Sequence, residues 1–272
     1  MKDKLDGKLA LVTGAGSGIG KATALALAAK GARIVAVDID DARVVEMKKE
    51  LGERCAMARR VDVSKRDEMR ALAGDVHRDL GPLDVLVNNA GVGHSGGILD
   101  TSLEDWDWIV GVNLWGVIHG CHFFVPKMVE RGAGGHVANV ASAFGLFAGP
   151  GVAPYCTTKF AVVGLSESLR AELRPHGIGV SAICPGLINT DIIARGRFAD
   201  EGMRAGVADT FQKKGRAPEQ VASAILHAIG KNVAVVPVGG EAWAAWMGKR
   251  FAPGLTEIVG RRVEKAARAG RS

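Results

Sequence analysis

Thr13-Gly14-Ala15-Gly16-Ser17-Gly18-Ile19-Gly20 is the stretch whose reading decides the fold. It follows Leu9-Ala10-Leu11-Val12-Thr13, a short apolar run of strand character, and residues 18–30 after it read as a helix. Glycines at 14, 18 and 20 let the backbone turn sharply and approach a pyrophosphate, and Gly16 adds flexibility. The helix N-terminus behind such a turn faces the phosphates with free N–H groups and a positive dipole end. A glycine-rich turn alone is weak. Set between a first strand and a helix it is a nucleotide-binding signature, with Gly14, Ser17, Gly18, Ile19 and Gly20 as candidate contacts.

On either side of this turn, short β-rich runs alternate with longer helical patterns. Strands are expected at 9–13, 33–38, 55–62, 84–88, 136–141, 178–184 and 233–236. Helices are expected at 18–30, 41–51, 65–80, 102–131, 155–174 and 218–229, the helix at 155–174 being stopped by Pro175 and Gly177. Such alternation predicts an α/β fold: a single Rossmann-type, doubly wound, parallel seven-stranded sheet with helices on both faces. No linker of the kind that separates domains and no internal repeat is visible. Residues 187–215 are polar, glycine-spotted and weakly periodic; following the sixth strand at its carboxyl edge, they are a candidate lid.

The 272 residues are 47% hydrophobic and 24% charged, which excludes disorder over most of the length. No run of eighteen apolar residues occurs, and residues 1–8 lack the apolar stretch of a signal peptide, so a cytoplasmic location is expected. Residues 249–272 hold seven basic and two acidic residues; the preceding chain holds 28 and 27. The body is neutral and the tail basic, so nucleic-acid binding by the whole protein is not implied. Cys55, Cys121, Cys156 and Cys184 form no C-x-x-C pair and read as reduced thiols. His119, Cys121 and His122 lack a carboxylate partner, and no metal is expected.

Asp38 closes the second strand, eighteen residues beyond Gly20. A carboxylate there can accept hydrogen bonds from both adenosine ribose hydroxyls and repels a 2′-phosphate. Ser17, Ile39 and Asp40 are not basic, so NAD is favoured over NADP. Asp62-Val63 could hold the edge and face of adenine, and Asn88-Asn89-Ala90-Gly91 permits close backbone approach. Tyr155, the sole tyrosine, and Lys159 are four apart on one helix face. A free tyrosine titrates at about 10, so service as a base near neutrality needs about three units of stabilisation, roughly 4 kcal/mol. A neighbouring ammonium and a cationic nicotinamide ring are sources of it. Ser142, just after the fifth strand, can stabilise a developing alkoxide.

Together Thr13-Gly-x-x-x-Gly-Ile-Gly20, Asn88-Asn-Ala-Gly91, Asn113, Ser142, Tyr155-x-x-x-Lys159 and Pro185-Gly186 have the order and spacing of the short-chain dehydrogenases/reductases. The chain resembles the compact branch of that family from about residue 5 to residue 238. The resemblance implies an NAD(P)-dependent oxidoreductase, with Tyr155 as acid/base and Ser142 stabilising the substrate oxygen. Lys159 would bind the nicotinamide ribose and lower the tyrosine pKa, and Asn113 would hold a water in a proton relay. Asp62 and Val63 would contact adenine, and Asn89, with Ala90 and Gly91, would line the cofactor cleft. Pro185, Gly186, Ile188 and Thr190 would flank the nicotinamide. Ala141 and Thr158 stand where many relatives carry serine, and serine or alanine, respectively.

Val92, His94, Phe144, Phe147 and Ile192 form a candidate substrate pocket, largely apolar, suited to a sterol, terpenoid, retinoid or acyl-type secondary alcohol or ketone. His94 could sit near the mouth of that pocket, but the favoured reading is a solvated loop histidine. Residues 1–240 are read as the catalytic domain and 241–272 as a basic amphipathic helical extension. That extension has three readings: packing on the body or a partner subunit, peripheral contact with an anionic membrane, or a frayed tail. A homodimer or homotetramer is expected from the resemblance. A NADP(H)-dependent carbonyl reductase and a non-catalytic nucleotide-binding scaffold stay open as alternatives.

Overall fold

The computed structural model describes residues 5–200 and 202–251. Its strands are β1 (Leu9–Thr13), β2 (Arg33–Asp38), β3 (Cys55–Arg60), β4 (Val85–Asn88), β5 (His94–Ser95), β6 (Gly135–Val140), β7 (Ile178–Pro185), β8 (Arg197–Phe198) and β9 (Val235–Val238). Its helices are α1 (Gly18–Ala29), α2 (Asp41–Leu51), α3 (Arg66–Asp79), α4 (Leu103–Val110), α5 (Gly116–Arg131), α6 (Ala153–Leu173), α7 (Gly202–Lys214), α8 (Pro218–Lys231) and α9 (Gly240–Phe251).

Seven strands form one sheet in the order β3-β2-β1-β4-β6-β7-β9. Every pairing is parallel; Leu11 of β1 lies opposite Val35 on one side and Leu86 on the other. The order reverses between β1 and β4, and in such sheets ligands bind beyond the carboxyl ends at that switch point. Alternate residues of β1 feed two cores. Leu9 and Leu11 join Met69, Leu72, Phe124, Met128 and Val162 on the face covered by α3, α5 and α6. Ala10 and Val12 join Ala24, Leu27, Met47, Val221 and Ile225 under α1, α2 and α8. Each large apolar side chain fully withdrawn from water in these layers contributes about 1.5–3 kcal/mol. The doubly wound reading is therefore right, and its physical basis is this two-residue alternation.

Local signals set the element ends. Asp40 caps α2, its carboxylate accepting the Ala42 and Arg43 N–H groups at 3.0 and 3.3 Å. Ser102 caps α4 through the Asp105 N–H at 3.1 Å. Asn232 ends α8 at φ 53°, a left-handed conformation that asparagine tolerates. That turn delays the last strand by two residues relative to the expected 233–236.

Two features depart from the sequence reading. The helix expected at 102–131 is interrupted by a π turn, Gly111–Trp115, so α4 and α5 are separate. The span Leu103–Arg131 has the length and apolarity of a membrane helix (mean hydropathy 1.4), but half of that window is buried against the body. Residues 187–215 contain β8 and α7; α7 lacks an apolar stripe, which is why its periodicity was faint. β8 pairs in parallel with β5, His94 opposite Arg197. Helix α9 matches the first part of the expected extension, and the rest of that extension, 252–272, lies outside the described residues.

Candidate active site

The glycine turn connects β1 to α1. Gly14 sits at φ +64°, a region that side-chain-bearing residues rarely enter. A Cβ at Gly20 would fall 2.0 Å from the Gly14 carbonyl oxygen, so only glycine fits. Asn89 fastens the turn to β4: its Nδ2 donates to the carbonyls of Thr13 and Gly14 at 2.9 and 3.3 Å. The Thr13 hydroxyl oxygen accepts the N–H groups of Asn89 and Ala90, both at 3.0 Å. Ser17, the N-cap of α1, makes no side-chain cap, so the first-turn N–H groups can serve an anion.

Asp38 is 6% exposed at the end of β2. Its carboxylate accepts the Gly16 N–H at 2.8 Å and the Asp40 N–H at 3.1 Å, which fixes its orientation beside the turn. Arg43, unremarked in the sequence, lies close by. Its guanidinium meets Asp40 at 3.4 Å and Asp191 at 3.1 Å, while Arg195 approaches Asp40 at 3.9 Å. These ion pairs join the start of α2 to the segment after β7 across the glycine turn. Thr190 also reaches that turn, its Cγ2 3.0 Å from where a Gly18 Cβ would stand. Uncapped N–H groups, a glycine cradle without room for a Cβ and a buried carboxylate at the β2 end together fit a dinucleotide.

Asp62 is differently engaged from the expectation. Its Oδ1 accepts both the N–H and the hydroxyl of Ser64, at 3.0 and 2.7 Å, so much of its acceptor capacity serves a local turn. Val63 is buried, and its carbonyl is 2.9 Å from His119 Nδ1. That contact gives His119 a structural task, and Cys121 faces Asn88 and Asn139 instead.

Lys159 and Asn113 converge beside Gly91; a Cβ there would lie 3.2 Å from Asn113 Oδ1 and 3.4 Å from Lys159 Nζ. The π turn presents Asn113, fully buried, to Val92: Oδ1 accepts the Val92 N–H at 2.8 Å and Nδ2 donates to its carbonyl at 2.9 Å. Lys159 Nζ donates to the Val140 carbonyl at 3.0 Å and lies 5.7 Å from the Tyr155 ring centroid. Burial lowers the Lys159 ammonium to about 8. Tyr155 is half-buried, and desolvation pushes its phenol up to about 12, against the opposing pull of the nearby Ser142 hydroxyl. Ser142 Oγ also accepts the Phe144 N–H at 3.2 Å. The phenol is therefore protonated at neutral pH.

A sequence profile of the short chain dehydrogenase family matches residues 8–201. The chain belongs to the short-chain dehydrogenase family. A probable oxidoreductase of Mycobacterium tuberculosis, EphD, is 42% identical over 255 residues; the match covers 90% of this chain and 43% of EphD. This chain thus spans less than half the length of that relative. A putative oxidoreductase of the same organism, SadH, is 34% identical over 97% of this chain and 95% of its own. A short-chain dehydrogenase/reductase from Burkholderia phymatum, solved in complex with NAD, superimposes with a TM-score of 0.85 at 30% identity, covering 93% of this chain and 96% of that one.

The short-chain dehydrogenase residues expected from sequence are brought together at the carboxyl edge: Gly14, Ser17, Gly18, Ile19, Gly20, Asp38, Asn89, Ala90, Gly91, Asn113, Ser142, Tyr155 and Lys159. Pro185 ends β7 opposite Val238, and Ile188 is buried in the core under α1 and α8. Phe144 meets Phe147 and Tyr155 at ring separations of 5.1 and 6.2 Å. Ile192 packs on Gly93, next to Val92. His94 is not a solvated loop residue; its side chain is 1% exposed, under β8 and 3.8 Å from Asp105. Desolvation lowers its pKa. Asn88 Nδ2 donates to Asn139 Oδ1 at 2.8 Å and so ties β4 to β6; the further link from Asn139 to Ser166 at 3.0 Å has no local sequence signal, because it joins residues far apart in sequence.

Proposed function

We propose that this short-chain dehydrogenase transfers hydride between the nicotinamide of NAD and a secondary alcohol or ketone. The observation that carries the reading is the convergence of Ser142, Tyr155 and Lys159 at the carboxyl edge of the sheet, the edge that also carries the glycine turn and the buried carboxylate of Asp38. When bound, the nicotinamide supplies or accepts the hydride. The chain's own residues do the rest. Ser142 holds the substrate oxygen and Tyr155 gives it a proton or takes one. Lys159 carries positive charge near the phenol and binds the nicotinamide ribose, and Asn113 lines the relay behind it. The phenol donates its proton when a ketone is reduced and takes one, as phenolate, when an alcohol is oxidised.

NAD is preferred over NADP because Asp38 occupies the place a 2′-phosphate needs. Arg43 does not reverse this, since its charge is already matched by Asp40 and Asp191. A relative that binds NAD supports the same choice. Adenine rests against Asp62 and Val63, and Pro185, Gly186, Ile188 and Thr190 flank the nicotinamide. The substrate is lipophilic, held by Val92, Phe144, Phe147 and Ile192 with His94 behind them. Residues 1–240 carry catalysis and residues from 241 onward form the extension, in a cytoplasmic homodimer or homotetramer.

Tyr155→Phe is the test. Turnover of a panel of lipophilic alcohols and ketones should fall roughly 1,000-fold while NADH affinity stays within about two-fold. Unchanged turnover would refute the assignment.

A further inference from the structure

The C-terminal helix α9 begins against the part of the site where the nicotinamide is expected. Glu241, in its first turn, accepts the Leu187 N–H on Oε1 at 3.2 Å and binds Arg216 Nη2 on Oε2 at 3.0 Å. Leu187 and Arg216 stand at the two ends of the segment that holds β8 and α7. Those ends are also bonded to each other: the Arg216 N–H donates to the Leu187 carbonyl and the Asn189 N–H to the Arg216 carbonyl, both at 2.9 Å. One carboxylate thus holds both ends. It also lies flat on two glycine backbones, since a Cβ at Gly186 or Gly239 would come 2.3 or 2.6 Å from its Oε1. Gly186 in turn donates its N–H to Val238 at 2.9 Å. Burial of the Glu241 carboxyl favours its neutral form, but the helix N–H, Arg216 and Leu187 outweigh this and hold it below the usual carboxylate range.

Further along α9, Trp246 packs on the core. The Lys249 ammonium lies 4.1 Å from the ring centroid of Phe160, the residue after Lys159 on α6. The helix therefore spans from the hinge of the 187–216 segment to the helix of Tyr155 and Lys159.

We propose that Glu241 is a positioning residue: it pins both hinges of the 187–216 segment and sets the Pro185–Gly186 wall, which makes α9 a working part of the cofactor site. The assignment of that wall to the nicotinamide rests on the function proposed above. The carboxylate is chemically suited to the task, because it can take a backbone N–H and a guanidinium at once, and a charged acceptor makes the stronger bonds.

The test uses the full chain as Glu241→Gln, as Arg216→Gln and as the two together. Two readouts are needed: NADH affinity by fluorescence titration, and the rate of chymotryptic cleavage within 187–216, where none of these substitutions adds or removes a cleavage site. Glu241→Gln should weaken NADH binding and raise cleavage, each about five-fold or more, and raise the KM for NAD with kcat within about two-fold. Arg216→Gln should lose about three-fold in both readouts, and the double variant should lose no more than about two-fold beyond Glu241→Gln alone, because both groups act through one carboxylate. NADH affinity and cleavage within two-fold of the parent in Glu241→Gln, or losses in the double variant equal to the product of the two single losses, would overturn the proposal. Neither readout depends on turnover. Should no alcohol or ketone be converted, the proposed reaction fails while the hinge assignment is still decided.

Discussion

His136 offers a stability prediction that can be worked through in full. It lies on β6, 4% exposed, with Nε2 2.9 Å from Ser181 Oγ on the neighbouring β7. Ser181 donates its own hydroxyl proton to the Val233 carbonyl, so it accepts from His136, which places the imidazole proton on Nε2. Burial, with the Arg170 charge adding to it, lowers the His136 pKa from 6.5 to about 4. In the unfolded chain the ring takes a proton near pH 6.5; in the folded chain it refuses one until about pH 4. Between those values the unfolded state binds more protons, so stability falls as pH falls. At pH 4.5 the linkage from this one side chain amounts to about 2.5 kcal/mol relative to pH 8. His136→Gln keeps a donor for Ser181 but cannot titrate. Urea unfolding of both proteins at pH 8 and pH 4.5 should show the parent losing about 2.5 kcal/mol more than the variant over that interval. Parallel losses would refute the argument and would mean that the ring is reached by water or protonated in place.

Two further outcomes concern the cofactor site. Asp38→Asn removes the charge that opposes a 2′-phosphate, so the NADP:NAD affinity ratio, measured by titration with the two reduced cofactors, should rise roughly 30-fold, about 2 kcal/mol; an unchanged ratio would show that Asp38 does not discriminate. Gly20→Ala puts a methyl 2.0 Å from the Gly14 carbonyl oxygen, and it should cost about 1–3 kcal/mol in urea unfolding and abolish measurable NADH binding.

The parts legible in the sequence were those carried by local pattern. β2 and α2 lie at the expected residues because a β-branched run ends at Asp38 and Asp40 caps the helix after it. The glycine turn, Ser142, Tyr155 and Lys159 were legible because strand–turn–helix order and four-residue spacing define them in one dimension. The features that escaped depend on contacts between distant residues. β5 and β8 have two residues each and exist only because residues 94–95 meet residues 197–198. Arg43 looked like an ordinary helix arginine until Asp191 came within 3.1 Å of it. Glu241 gave no signal at all, since its partners lie 54 and 25 positions away. The π turn left no trace either: apolar spacing on both sides of it is compatible with one continuous helix.

That π turn lets α5 keep its face to the sheet although the segment carries one extra residue. A π turn is in effect a single insertion into an α-helix, taken up locally so that the turns after it keep their direction. Deleting one residue of Gly111–Trp115 would restore regular winding with Gly116 still against Val63 and Gly120 still against Asn88, at the cost of the turn that presents Asn113. A further insertion, or a deletion elsewhere in 103–131, has no such slack and would rotate everything after it by about 100°, driving bulky neighbours into the places of those glycines. Over evolutionary time, therefore, loss of a single residue within 111–115 should be the one change of length that this segment tolerates.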